Sequence, residues 1–375
     1  QTYETTHPHF GKILISIGIA LFGMNPFGWR VMSALFGIFI IGIMYLFAKK
    51  LFGNTFLATA TTGLFTFDFM HYTLSRISTI DIFAAFFILL MYYFMYEYMV
   101  KNHSFDYSKM KLSKDYLLPL AFCGISMAFG IATKWTGVYA GLGLAVLFFW
   151  YTLTHFPGKQ TIGLFGFCCI FFLLIPMLVY TLSFIPVVGY DNSGLIKRTI
   201  DGSLSMFSYH SQLVAEHYYS SPFYEWPVIW MPLLYANDAV NSTHVSAVSC
   251  MGNPAVWWPG IICSLFVLYR WVFKKEKKAG FLFIAYAAQY IPWMSIGRIT
   301  FIYHYFPAIL FVILMIGYTM QYLMEHFKYG KRTITVYLGI VLVVFLIFFP
   351  VISGIPVSTE WGMKLRLLKD WILVL

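Results

Sequence analysis

Charge is the scarcest ingredient of this 375-residue chain: Asp, Glu, Lys and Arg together make up 11% of it, against about 25% in an ordinary soluble domain. That is too little polar surface to cover a water-soluble globule. No P-loop and no GxGxxG occurs, so nucleotide-driven transport has no support. The ten histidines include no HxxxH spacing, and the five cysteines (Cys123, Cys168, Cys169, Cys250 and Cys263) lack metal-ligand spacing, so no divalent metal is expected. The cysteines read as small apolar core residues and report no redox compartment. There is no repeat, low-complexity tract or soluble secretory domain. Gln1 opens a polar stretch with neither an initiator Met nor a targeting segment, which reads as a fragment lacking an upstream membrane helix.

What fills the chain is apolar. Hydrophobic residues reach 60% and aromatics 21%, and mean hydropathy is +0.73, the composition of an all-α polytopic membrane protein. The net charge of +10 is scattered between apolar segments rather than gathered in a stripe, so membrane topology explains it and no nucleic-acid partner is expected. A bilayer span needs about 20 residues. Ten candidates meet or approach that length, at 28–47, 55–74, 79–100, 115–132, 136–155, 161–186, 255–273, 279–297, 301–323 and 333–352. Phe10–Gly23 is shorter and reads as an interfacial helix.

This gives an external segment at 1–27, a first bundle of six spans at 28–186, a long external loop at 187–254, a second bundle of four spans at 255–352 and an external tail at 353–375. With residues 1–27 outside, 15 of the 25 Lys and Arg residues fall in five short inner loops, among them Lys49, Lys50, Lys274, Lys275, Lys277 and Lys278. The positive-inside rule supports that orientation. The 187–254 loop contains GLIKRTIDGSLSMFSYHSQLVAEHYY, which suits an amphipathic surface helix, and then an aromatic, proline-rich stretch. Trp230, Trp257 and Trp258 read as an interfacial belt.

One stretch, TFDFMHYTLSRISTIDIFAAFF (Thr66–Phe87), places Asp68, His71, Arg76 and Asp81 at the junction of two apolar segments. Ionisable groups there pair, face a polar cavity or act in chemistry. A pairing of Asp68 or Asp81 with Arg76 that merely fixes a helical hairpin is the alternative. Arg30, Lys134 and Arg298 sit at span ends on the same expected face, where cations either hold an anion or snorkel to the interface. Trp135 suits stacking on a sugar face, as an interfacial ring also would.

Seven motifs taken together resemble the protein O-mannosyltransferase family in its bacterial form: THPHFGK (Thr6–Lys12), NPFGWR (Asn25–Arg30), FDFMHYTLSRISTID with Asp68, Arg76 and Asp81, ATKWTGVYAG (Ala132–Gly141), YHSQLVAEHYYSSPFYEWP (Tyr209–Pro227), MGNPAVWW (Met251–Trp258) and RITFIYHYFPA (Arg298–Ala308). The match runs in order from residue 3 to about residue 371.

The resemblance implies a GT-C glycosyltransferase. Such an enzyme would move mannose from a polyprenyl-phosphate carrier to Ser or Thr hydroxyls of secreted or membrane proteins, with inversion, at the outer face of a bacterial plasma membrane. No further cofactor is implied, and a dimer is left open. His7, Lys12, Arg30, Asp68, Arg76, Asp81, Lys134, Trp135, Arg298 and His304 become candidates for the donor phosphate and sugar, with Arg30 the preferred phosphate ligand. His217, Glu225 and Trp226 become candidates for the acceptor. The family's acidic pair in the first external loop, whose Asp serves as base, is not in this chain. The base is therefore expected upstream of residue 1, the activity of these 375 residues by themselves is in question, and Glu4 is the nearest acidic residue to the HPxxGK-like stretch. Alternatives are a GT-C enzyme acting on a lipid or cell-wall acceptor, a catalytically dead partner subunit, and a non-catalytic lipid-phosphate transporter.

Overall fold

The computed structural model describes residues 6–102, 114–155, 158–187 and 194–375. Apolar segments fold as helices because a helix satisfies its own backbone polar groups where water is absent. In chain order come α1 (Phe10–Phe22), α2 (Pro26–Phe52), α3 (Thr55–Thr66), α4 (Phe69–Leu74) and α5 (Asp81–Asn102). Then follow α6 (Lys114–Thr133), α7 (Thr136–His155), α8 (Gly158–Cys169), α9 (Ile175–Leu182) and α10 (Leu195–Gln212), with a π-helical turn at Ile170–Leu174 joining α8 to α9. Strands β1 (Leu233–Ala239) and β2 (His244–Cys250) precede α11 (Pro254–Lys274), α12 (Lys277–Tyr290), α13 (Phe306–His326) and α14 (Gly330–Ser353). Strand β3 (Pro356–Ser358) and α15 (Thr359–Lys364) come last.

Two expectations are corrected here. The protein is mostly helical rather than all-α, since β1, β2 and β3 form an antiparallel three-stranded sheet. Among the described residues seven helices, not ten, are long and apolar enough to cross a membrane: Pro26–Phe52, Asp81–Val100, Thr136–Leu153, Ile162–Val187, Pro254–Lys274, Ile302–His326 and Gly330–Ser353. The segment expected at 55–74 is broken at Phe67–Asp68, leaving α3 with 12 residues and about 18 Å of rise. The segment at 279–297 ends its α-helix at Tyr290, and Pro292 follows in a 3-10 turn. The apolar part of α6, Leu117–Thr133, is short of a span.

The chain divides into two compact units, one of Gln1–Met32 and Ile80–Leu213, the other of Ser33–Thr79 and Val214–Leu375. In the first, Asn25 turns the chain between α1 and α2. Its Oδ1 accepts the backbone N–H groups of Phe27 and Gly28, each at 3.0 Å, and its Nδ2 donates to Phe22 O at 2.7 Å. Pro26 fills the first helical position, where its missing N–H leaves no bond unmade. A Cβ on Gly28 would lie 2.0 Å from Gly23 O, so only glycine allows this corner. Farther along α1, Gly11 packs against Ile80 and Thr133, with an added Cβ 2.8 Å from Ile80 Cγ2 and 3.1 Å from Thr133 Cγ2.

Helix α10 carries two faces. Thr199 and Met206 are buried on one, whereas Ile196, Ile200, Leu204 and Phe207, spaced by one helical turn, are 54–71% exposed on the other. A helix with its apolar stripe turned away from the protein has the pattern of an interfacial membrane helix.

The second unit is built on α13, which is buried at every position from Phe306 to Tyr318. A helix apolar all round belongs in a core, and it packs against α3, α11 and α12. In the sheet, β1 pairs with β2 from Leu233↔Cys250 to Ala239↔Val245, with an irregularity between Leu234 and Ala236. Gly354, in the left-handed region at φ 77°, ends α14 and donates its N–H to Ala247 O at 3.0 Å. The sheet is also tied to helix α4 through Thr73 Oγ1, which donates to Ser249 O at 3.2 Å.

Candidate functional site

In the first unit a salt bridge joins the ends of two helices. Asp81 opens α5 and Lys134 follows α6, and Lys134 Nζ lies 2.7 Å from Asp81 Oδ1, with side-chain exposures of 8% for Lys134 and 14% for Asp81. Helix α1 brings His7, His9 and Lys12 to the same place, since Gly11 rests on Ile80 and Thr133. Lys12 Nζ donates to His7 O at 2.9 Å. The His9 ring packs edge-on to Phe184 at 4.6 Å.

Helix α10 completes the cluster. His210 Nε2 lies 2.7 Å from Thr6 O, so that nitrogen carries the proton and donates it. The His210 ring is 5.4 Å from that of His7 and 6.4 Å from Trp135. Trp135 Nε1 donates to Tyr180 Oη at 3.3 Å, and Tyr180 Oη is 3.0 Å from Ser203 Oγ. One Asp, two Lys, three imidazoles, an indole, a phenol and a hydroxyl thus converge. Trp135, Tyr180 and Ser203 also line a cleft of about 540 Å³ that shares Ile131, Val138, Phe172 and Leu173 with an adjoining apolar cleft of about 500 Å³. The two adjoining clefts are apolar, and the hydrogen-bonding groups Trp135, Tyr180 and Ser203 line only the first.

In the second unit Asp68 is fully buried and caps α4. Its Oδ1 accepts from the backbone of Met70 at 3.1 Å and His71 at 3.2 Å, and its Oδ2 from Asn253 N at 3.2 Å and Trp257 Nε1 at 2.8 Å. Asn253 caps α11 and donates Nδ2 to Phe67 O at 2.9 Å. His71 Nε2 donates to Gly37 O at 3.1 Å. The carboxylate therefore bolts the break between α3 and α4 onto the start of α11. Asp68 does not pair with Arg76: the Arg76 guanidinium donates to Tyr72 Oη at 3.0 Å and Ser353 O at 2.6 Å and lies over the Tyr72 ring. The hairpin-fixing pair is absent in that form.

The remaining sequence candidates fall into distinct settings. Arg30 is exposed in the first turns of α2 and makes no hydrogen bond or ion pair with a described residue. Exposed His217 and half-buried Arg298 line one open cleft of about 730 Å³ in the second unit, together with Glu216, Ser220 and Met294. Trp226 is fully buried, donates Nε1 to Ser221 O at 3.0 Å, and stacks on buried His304 with ring centres 6.0 Å apart. Its ring is a wall of the fold and offers no open face. Glu225, beside it, is half-buried, and burial and then the neighbouring Asp370 carboxylate push its carboxyl above the usual range. Glu4 lies outside the described residues. Among the described residues no group of three His, Cys, Asp or Glu side chains is placed to hold a metal ion.

Sequence reasoning missed Tyr180, Ser203, His210 and Asn253. His210 and Asn253 stand within the quoted motifs, which was the available signal; Tyr180 and Ser203 carried none. Trp257 was read as a belt residue, but it is buried against Asp68. Trp258 donates to Val228 O at 3.0 Å, and Trp230 is exposed.

Two family models match the chain in succession: "Dolichyl-phosphate-mannose-protein mannosyltransferase" over residues 13–188 and "C-terminal four TMM region of protein-O-mannosyltransferase" over residues 195–371. The chain is 26% identical to a polyprenol-phosphate-mannose–protein mannosyltransferase of Mycolicibacterium smegmatis, over 96% of this chain and 81% of that protein. The fold is similar to that in the Saccharomyces cerevisiae protein O-mannosyltransferase Pmt1–Pmt2 complex bound to the sugar donor, with a TM-score of 0.82 at 13% identity, covering 98% of this chain and 86% of that one. ArnT from Cupriavidus metallidurans is a more distant likeness, with a TM-score of 0.57 at 16% identity over 97% of this chain and 56% of that one.

Proposed function

Since the chain belongs to the protein O-mannosyltransferase family and has its GT-C fold, we propose that it transfers mannose from a polyprenyl-phosphate carrier to Ser or Thr hydroxyls of secreted or membrane proteins. The reaction inverts the anomeric carbon and takes place at the outer face of a bacterial plasma membrane. The observation that carries this reading is that Trp135, Tyr180 and Ser203, with Trp135 next in sequence to the ion-paired Lys134, line one of two adjoining apolar clefts, a combination that suits a phosphate on a long isoprenoid.

The chemistry follows from the donor. The acceptor oxygen attacks the anomeric carbon as the glycosyl C–O bond breaks, and the bonding electrons leave with the carrier phosphate. A carboxylate takes the hydroxyl proton, because a neutral hydroxyl is a weak nucleophile. Glu4, three residues before His7, is the acidic residue nearest the HPxxGK-like stretch and only a secondary candidate for that base, the family's acidic pair being the first. Negative charge accumulating on the phosphate is stabilised by cations in a water-poor setting. Arg30, Lys12 and Lys134 supply them from the first unit, with Asp81 holding Lys134 in place. His7 and Trp135 present a hydrogen-bonding ring and a stacking face to the sugar. In the second unit Asp68, Arg76, Trp226 and His304 position the frame. The cleft of His217 and Arg298, with Glu225 nearby, receives the acceptor peptide.

The test is transfer of radiolabelled mannose from polyprenyl-phosphate-mannose to a Ser/Thr peptide by the chain in liposomes, with alkaline β-elimination to release the sugar. Label released from peptide supports the reading. Label found only in lipid or polymer overturns it, and so does no label from the folded, inserted natural full-length protein.

A further inference from the structure

About 30 Å from Asp68, at the far ends of the 21-residue helices α11 and α13, the second unit carries a polar pocket of about 360 Å³ that the transfer reaction does not use. It is lined by Arg270, Lys277, Lys278, Tyr322, Glu325 and His326, with Glu276 and Tyr318 at its back. Arg270 and Tyr318 both donate to Glu276, which occupies that carboxylate, and the Arg270 guanidinium lies 4.8 Å from the Tyr322 ring. Glu325 accepts from Gln321 Nε2 at 2.7 Å. Lys277 makes no ion pair with a described residue, and burial pulls the Lys278 ammonium below the usual lysine range in spite of the nearby Glu325 and Glu276 carboxylates, so both gain from an anion.

The surroundings are strongly cationic. Residues 270–278 and 318–332 hold eight Lys and Arg residues against two carboxylates. The pocket is also flanked by exposed rings: Phe273 at 71%, Phe327 at 58% and Tyr329 at 64% exposure. Free phosphate has no use for those rings, whereas a lipid brings acyl chains alongside its phosphate. Basic pockets at the membrane-facing ends of helices hold anionic headgroups by this pairing of charge with apolar contact.

We infer that this pocket is a binding site for the phosphate of an anionic phospholipid of the surrounding bilayer, contacted by Lys277 and Lys278, with the acyl chains against Phe273 and Phe327. It is separate from the site proposed for the sugar donor and stands whether or not that reading does.

The probe is phosphatidylglycerol. The chain is reconstituted in nanodiscs of phosphatidylcholine with phosphatidylglycerol, and lipid retained after transfer to detergent is counted by native mass spectrometry for wild type and for K277Q/K278Q. Selective retention of phosphatidylglycerol by wild type, reduced roughly 30-fold in the variant at the usual worth of two surface cations, supports the site. The comparison requires equal melting of the two proteins in phosphatidylcholine alone; single K277Q and K278Q variants, each expected to lose part of the retention, replace the double variant if it melts early. Equal retention by wild type and variants overturns the proposal. So does stabilisation of wild type by inorganic phosphate equal to that by phosphatidylglycerol, which would assign the pocket to a free anion.

Discussion

Lys134 Nζ and Asp81 Oδ1, 53 residues apart in sequence, meet at 2.7 Å and join the end of α6 to the first residue of α5. Because both side chains are nearly buried, removing one leaves the other without its partner. Lys134→Ala leaves a buried carboxylate without its cation and is expected to cost about 3–5 kcal/mol, whereas Lys134→Met with Asp81→Leu is expected to be far milder. Thermal unfolding of purified single and double variants checks this; an additive loss would show that the two side chains act independently.

Asp68 accepts four N–H groups, three from backbone and one from Trp257. Trp257→Phe removes the indole donor and keeps the packing, so a loss of about 1.5–3 kcal/mol is expected, the scale of a hydrogen bond to a charged group. Asp68→Asn is expected to be worse, since its NH₂ must face donors. Melting temperatures in one detergent order the three proteins, and Asp68→Asn matching wild type would overturn the assignment.

Arg30 is exposed and makes no described contact within the protein, so Arg30→Ala is expected to change stability by no more than about 0.5 kcal/mol. If Arg30 binds the donor phosphate, KM for the lipid-linked sugar rises at least roughly tenfold in the same protein, the worth of one charge-assisted contact. Unchanged KM would leave Arg30 a snorkelling residue of the helix end.

Gly11 seats α1 against Ile80 and Thr133. Gly11→Leu is expected to lift α1, and His7 with it, and to lower mannose transfer by about 100-fold, as a displacement near 1 Å does to a positioned site. Circular dichroism should show helix content retained while transfer falls.

Glu225 has a raised carboxyl, so in the folded state it binds a proton more readily than in the unfolded chain. Stability therefore falls as pH rises from the ordinary carboxylate range, about 4.3, through the raised value. Glu225→Gln is expected to be at least as stable as wild type at neutral pH, with the advantage vanishing below the ordinary range. Melting curves across that interval for both proteins are the check.

Much of the family was written in short motifs, because residues that cap, turn or lie against another backbone leave local marks. NPFGWR and MGNPAVWW were legible as motifs, though the corner at Asn25 and the helix cap at Asn253 that they encode were not read from them. The break at Asp68 was not, since hydropathy averaged across it saw one apolar run where an aspartate begins a new helix. The sheet escaped for a related reason: β2 reads HVSAVSC, whose alternation rests on Val and Ala alone and vanishes beside the aromatic runs around it. Tyr180 and Ser203 escaped altogether, because a phenol within an apolar helix and a serine on a surface helix acquire meaning only when α9 and α10 place them 3.0 Å apart.

The two faces of α10 have a consequence for handling the protein. Its inner face holds Ser203 and His210, and its outer face presents Ile196, Ile200, Leu204 and Phe207 to whatever surrounds the protein. In a bilayer that outer surroundings is one leaflet, with a definite depth and lateral pressure. In a micelle it is a curved, exchanging shell. An amphiphile that covers the outer face of α10 would therefore touch the same helix that brings Ser203 and His210 to the cluster.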